Sequence, residues 1–358
     1  MMTTDVDADL LALRELADDI LSASTEPMLD VQQIALPYDA ALWSTLAGSG
    51  LTLLTTTEER GGTGAGLPEL AVVLESAGFH AAPVPIAEHD LLASWLLGLA
   101  GLPVDHAALS AATVTAAAQH ETFNCTATSA PWAADVDAIV VAGTDFVAVV
   151  PRDNASIDRH HDIAGQPMDR VTVALAPKHC HPVSAAPAAE FALRGAWARS
   201  WQTCGTLARA LDLAGDHARE REQFGRPIAR FQAVQSLLSE AAGSLSMAKT
   251  AAQFATAVVT AHGFDSAQGR FAVSVAKIES ARAATIVARN VHQVHGAIGF
   301  TLDHRLRHFT TRALAWRSEF GAQRTWQHRL GQLVTNHPGS AWEAVTSLSS
   351  TVAADLNK

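Results

Sequence analysis

The chain has 358 residues, 48% hydrophobic and 17% charged, with a formal net charge of -11. That length exceeds a single small core and suits two or three domains. The composition excludes a disordered chain, and the acidic balance argues against nucleic acid as a partner of the whole protein.

The N-terminal stretch MMTTDVDADLLALRELADD carries acidic residues where a signal peptide needs a basic start. No window offers the roughly 20 unbroken apolar residues of a membrane span. Cys125, Cys180 and Cys204 are odd in number and far apart, which reads as reduced thiols. A soluble, cytoplasmic protein is the expectation.

Residues 1–105 read as helical, with Leu10, Leu13, Ala17, Ile20 and Leu21 at helical spacing. Gly61, Gly62, Gly64 and Gly66 follow no strand and precede no Lys-Ser/Thr pair, so they predict an inter-helix loop, not a phosphate loop. Between 106 and 186 the runs ATVTAAAQ, VDAIVVAG, DFVAVVP and RVTVALAP are strand-like and bounded by Gly, Asp and Pro. After 187 helix returns. One run carries Trp201, Cys204, Ala208, Leu211, Gly215 and Ala218, and a second carries Val234, Leu238, Ala241, Leu245 and Ala248. Two more span 267–294 and 302–334, and the last twenty residues read as a short helix or a tail. Four amphipathic runs with short connections describe an antiparallel bundle. The fold class is therefore mostly α with a small β-domain. It comprises an N-terminal helical domain (1–105), a short middle β-domain (106–186) and a C-terminal four-helix bundle (187–358).

Metal and nucleophile signatures are weak. The pairs His160/His161, His179/His181, His292/His295 and His304/His308 lack the third and fourth ligands of a closed zinc site. No G-x-S-x-G elbow is present, and Cys204 falls on an apolar stripe. Two connections of the bundle are richer. The first gathers Arg219, Arg221, Arg226 and Arg230 around Phe224 and Gly225. The other, HQVHGAIGFTLDH, sets Gln293 beside Gly296 and Gly299 ahead of a helix. Arginines and a glycine-containing turn suit a pyrophosphate, although two ordinary helix connections with solvated arginines would read the same way.

These segments, R-x-Q-F-G-x-P-I…Q and QVHGAIGFT-x-x-H, resemble the C-terminal domain of the acyl-CoA dehydrogenases, FAD-dependent enzymes that desaturate acyl-CoA thioesters. The stretch from Leu42 to Glu88, with its Glu-x-Gly-Gly-x-Gly turn, is similar to the N-terminal domain of the same family, and the order of domains agrees. The resemblance implies that Arg221, Gln223 and Phe224, flanked by Ile228 and Phe231, contact the FAD of a neighbouring subunit. It implies that Gln293 and Gly296 support the same flavin's pyrophosphate and adenosine.

Two departures stand beside the match. Desaturation needs a carboxylate to remove the α-proton. The family places it nine residues after an arginine that resembles Arg312, or, in a minority, seventeen before an aspartate that resembles Asp212; these positions hold Gly321 and Gly195. Glu319 is a near neighbour of Gly321, but two residues along a helix turn a side chain by about 200°. The second departure is the absence of a segment resembling Thr-Glu-Pro-x-x-Gly-Ser-Asp, which grips the flavin ring in the family. The resemblance then narrows to the non-catalytic subunit of the α2β2 acyl-CoA dehydrogenases of actinobacterial steroid degradation. It implies a catalytic partner subunit, FAD, an acyl-CoA substrate and an electron acceptor such as an electron-transfer flavoprotein. A homo-oligomeric dehydrogenase with Glu319 as a displaced base, and a flavin-free scaffold, remain as alternatives.

Overall fold

The computed structural model describes residues 3–31, 35–104, 108–119, 122–184 and 187–355. The chain forms two compact units. One comprises residues 1–24, 33–73 and 83–195, the other residues 25–32, 74–82 and 196–358. Among the described residues no helix is long and apolar enough to cross a membrane.

The first unit opens on most of α1 (Thr3–Leu29) and on α2 (Ala40–Gly48), whose first turn is capped by Asp39 accepting from the Leu42 amide at 2.9 Å. After α3 (Leu67–Phe79), the buried π-helical turn Ala87–Ser94 runs into α4 (Trp95–Leu99). Asp90 within that turn accepts from the Leu54 and Thr55 amides at 3.1 Å and from the Thr55 hydroxyl at 2.8 Å. Burial pushes its carboxyl up to about 6, and the same hydrogen bonds pull it back.

The β-domain lies in this unit. Strands β1 (Leu109–Thr113), β2 (Thr115–Gln119), β3 (Thr122–Pro131), β4 (Ala138–Ala142), β5 (Phe146–Pro151), β6 (Ser156–Asp158), β7 (Met168–Leu175) and β8 (His181–Pro182) form two four-stranded sheets. Their orders are β1-β4-β5-β8 and β2-β3-β7-β6. Among the described residues of the two sheets, only the β1–β4 pairing is parallel. Cys125, Ile139, Val141, Ala148, Val150, Val171 and Val173 belong to one core that draws on both sheets. The run ATVTAAAQ, expected as one strand, is two. Val114 alone separates β1 in one sheet from β2 in the other. Strand β3 escapes the pattern because its Thr, Asn and Ser residues are polar and its ladder is bulged between Ala127 and Ala130.

In the second unit, α5 (Ala188–Glu220, from Ala196 onward), α6 (Gln232–His262) and α7 (Ala267–His295) carry buried alanines that let the backbones approach. The indoles of Trp197 and Trp201 both donate to the Thr256 hydroxyl, at 3.0 and 2.9 Å, and so fix α5 against α6. The expected fourth helix over 302–334 is broken into α8 (Leu306–Trp316) and α9 (Gln323–Thr335). The break is physical. The buried Lys277 ammonium donates to the Trp316 carbonyl at 2.5 Å, and Phe320 and Gly321 then adopt positive φ, +54° and +114°. The chain's last described element, α10 (Ala341–Asp355), is helical.

Candidate functional site

Where α5 ends, the arginine-rich connection is a β-hairpin, not an irregular loop. Strands β9 (Glu222–Gln223) and β10 (Arg226–Pro227) pair antiparallel, Gln223 opposite Arg226. The two-residue tip, Phe224-Gly225, has φ of +52° and +76°, as a type I′ turn requires at both positions. Glycine takes that conformation freely, whereas phenylalanine does so at a cost in strain. The Phe224 ring is 92% exposed. Its edge meets Phe231 at 6.1 Å, and the Arg226 guanidinium lies 4.3 Å from the Phe231 ring. The Ile228 amide donates to the Arg221 carbonyl at 2.8 Å and closes the hairpin root. Arg221 and Gln223 are exposed, Ile228 and Phe231 half-buried.

The second sequence motif lies at the other end of a short bridge of rings. Gly296 caps α7 with φ +66°, exposed beside the exposed Gln293, and residues Gly296–Phe300 wind a 3-10 turn. One turn before Arg221, His217 stacks on His295 with centroids 4.6 Å apart and planes at 22°. His304 packs edge-on against His295 at 4.6 Å, and His292 stacks on Phe300 at 4.4 Å. The structure thus joins the hairpin root to the Gly296 turn although some seventy residues separate them in sequence. Gly299 is buried because a Cβ there would sit 2.9 Å from His295 and 3.2 Å from His292 Nδ1. His217 was given no role from sequence; its one signal was its position in the last turn of α5, four residues before Arg221. Among the described residues no group of three or more His, Cys, Asp or Glu is arranged to hold a metal ion.

At the opposite departure, the two positions expected to hold a base are closed. Gly195 is buried within α5, next to Arg194, which pairs with Glu190 at 2.7 Å. Gly321 has φ +114°, and a Cβ there would lie 2.9 Å from the indole nitrogen of Trp326. Trp326 is fully buried and donates to the Gly321 carbonyl at 3.2 Å. Both Glu319 oxygens are held by Arg199, Nε at 2.5 Å and Nη2 at 3.2 Å, with side chains only 11% and 5% exposed. Arg199 also donates to Gln202 Oε1 at 2.5 Å. Burial pushes Lys277 down to about 7 while the neighbouring Glu319 charge pulls it up. This network was missed in sequence because its members are far apart, although Lys277 breaks the apolar stripe of α7. In the β-domain, the single residue between β1 and β2 leaves no loop there for a Thr-Glu-Pro-x-x-Gly-Ser-Asp-like segment.

This two-sheet domain with its helices is the acyl-CoA dehydrogenase fold. The ChsE4-ChsE5 complex from Mycobacterium tuberculosis aligns over 92% of this chain and 98% of its own, with a TM-score of 0.82 and 22% identity. The Tcur3481-Tcur3483 steroid ACAD G363A variant covers the same shares at a TM-score of 0.76 and 24% identity. Residues 188–327 match the family model "Acyl-CoA dehydrogenase, C-terminal domain". Acyl-CoA dehydrogenase IpdE2 of Mycolicibacterium smegmatis is 24% identical over 296 residues, 81% of this chain and 87% of the relative. A stronger but local likeness, 40% over 94 residues, links 26% of the chain to 3-sulfinopropanoyl-CoA desulfinase of Paraburkholderia xenovorans, of which it spans 23%.

Proposed function

We propose that this chain is the non-catalytic subunit of an FAD-dependent acyl-CoA dehydrogenase of α2β2 type, completing the FAD site of a catalytic partner. The observation that carries the reading is the contrast within one bundle. Arg221, Phe224 and Gly296 are exposed, while position 321 is closed by Trp326. The residues fit the adenosine and pyrophosphate end of FAD. Arginines and an exposed aromatic ring suit phosphate and a purine, and the Gly296 turn allows close backbone approach. The flavin ring finds no matching segment in the β-domain, so the ring belongs with the partner.

When bound, FAD accepts the hydride that leaves the acyl-CoA. This chain's contribution is to orient the nucleotide end: Arg221 offers a cation, Phe224 and Phe231 an aromatic edge, Gln293 an amide. The α-proton goes to a carboxylate of the partner, because Glu319 is engaged by Arg199 through both oxygens. Likeness to a two-protein complex and to a steroid ACAD supports a heteromer acting on a steroid-derived acyl-CoA. By the family resemblance, the acceptor is of the electron-transfer flavoprotein class. A cytoplasmic location follows from the same reading.

Co-expression with candidate partner subunits tests it. The chain alone should show no dehydrogenase turnover, and the co-purified complex should hold flavin and turn over. A chain that binds FAD and dehydrogenates acyl-CoA unaided overturns the proposal. An assembled complex without flavin absorbance would instead favour a scaffold.

A further inference from the structure

The histidines of the bundle end are not absorbed by this reading, and their arrangement carries one more step. His295 Nδ1 lies 2.7 Å from the Val291 carbonyl, which can only accept, so Nδ1 holds the proton. Nε2 of the buried His295 is then a bare acceptor with no hydrogen-bond partner. The Thr310 hydroxyl donates to the Leu306 carbonyl at 3.2 Å and therefore accepts from His292 Nε2 at 2.9 Å, which leaves His292 Nδ1 equally bare and buried. These neutral rings, with His217 and His304, bridge the hairpin root and the Gly296 turn.

We propose that the His217–His295–His304 stack is a proton-linked latch, taking up a proton as the adenosine pyrophosphate of FAD binds at this end of the bundle and releasing it as the nucleotide leaves. The inference rests on the FAD-completing role proposed above.

The charges around the stack set the sign. On α5, Glu220 and Arg221 flank His217; on α7, His292 faces both His295 and His304. Arg305 adjoins His304, but Glu26 of α1 and Asp30 just after it hold its guanidinium at 2.5 Å. Burial lowers His217, His304 and His295; Arg221 lowers His217 further and Arg305 lowers His304, while Glu220 raises His217 and the Val291 carbonyl raises His295. A pyrophosphate at Arg221 and Gly296 adds negative charge beside the stack, in which His295 Nε2 is bare and His304 Nδ1 accepts from the Leu306 amide at 3.1 Å, and favours its protonated form. Binding therefore consumes protons, and affinity rises as pH falls.

The test is a proton inventory. The assembly in which the chain purifies is stripped of flavin and titrated calorimetrically with FAD near pH 7, in two buffers of different ionisation heat. Uptake of about half a proton per FAD is expected, with affinity rising roughly fivefold from pH 8 to pH 6. His217→Gln combined with His304→Gln should remove most of that uptake while leaving the pH 8 melting curve in place. Acetyl-CoA, whose adenosine pyrophosphate bears an additional 3′-phosphate, forms the second arm. FAD binding without proton uptake, uptake unchanged in the variant, or uptake with acetyl-CoA alone overturns the latch and leaves the FAD role standing. Failure of the assembly to bind FAD at all overturns the role, and the latch with it.

Discussion

The two ends of the bundle's connections have been treated in opposite ways. At the hairpin and the Gly296 turn, charged and aromatic side chains face outward, and one of them is held in a strained conformation. At the α8–α9 turn, a tryptophan, an ion pair and a buried lysine turn inward and satisfy one another. Both turns hold a phenylalanine at positive φ, so the contrast lies in exposure at one and inward pairing at the other. On the proposed reading, the turn around Gly321 is rebuilt as a whole, and the expected carboxylate is one part of that change.

The largest test of this comparison is at Glu319. Glu319→Ala removes the carboxylate that pairs with the buried Arg199 guanidinium and should destabilise the chain by about 3–5 kcal/mol. Denaturant unfolding measures the effect. Glu319→Gln in the assembled complex should retain turnover; its abolition in a folded complex would break the comparison and restore Glu319 as a base.

Restoring the missing acid comes next. Gly321→Glu places a side chain at φ +114° against Trp326 and should cost about 1–3 kcal/mol without conferring turnover on the isolated chain. Dehydrogenase activity in that variant alone would show that the turn is still competent.

A pH effect of similar or smaller size follows from the histidines. His295 and His308 are pushed down to about 4 and about 3, chiefly by burial. The unfolded chain binds their protons first, so this stability is present above about pH 6.5 and is lost as pH falls toward those folded values. Melting temperature should drop between pH 6.5 and 4.5, by an amount equivalent to about 2 kcal/mol for His295, and His295→Gln should flatten the slope.

The smallest effect has opposite signs in two measurements. Phe224→Asn relieves the left-handed backbone and should stabilise the free chain by about 1 kcal/mol. The same change should weaken flavin retention by the complex roughly tenfold, as expected for loss of an aromatic anchor. A variant that is stabilised with undiminished retention would remove Phe224 from the ligand-facing end.

Much of this was legible from the residues. The order of helix, strand and helix followed from periodicity, and the strict alternation of β7 makes its buried face plain. The spacing from Arg312 located Gly321. What stayed hidden depends on partners distant in sequence or on uncommon backbone. Phe-Gly is not the Asn-Gly or Asp-Gly pair that announces a type I′ hairpin. Arg199 and Glu319 lie 120 residues apart, and no local pattern links them. Alanine tolerates either face of a sheet, so ATVTAAAQ gave no sign that the chain changes sheets at Val114.

That one-residue crossing has a consequence for tolerated length variation. Side chains alternate sides at every step of a strand, so β1 and β2 are tied in parity through Val114. Inserting a single residue there would let one sheet keep its inward set only by rotating the other out of phase. An even insertion would preserve both. Length changes at this junction should therefore be accommodated in pairs, a parity rule imposed by the shortest connection in the β-domain.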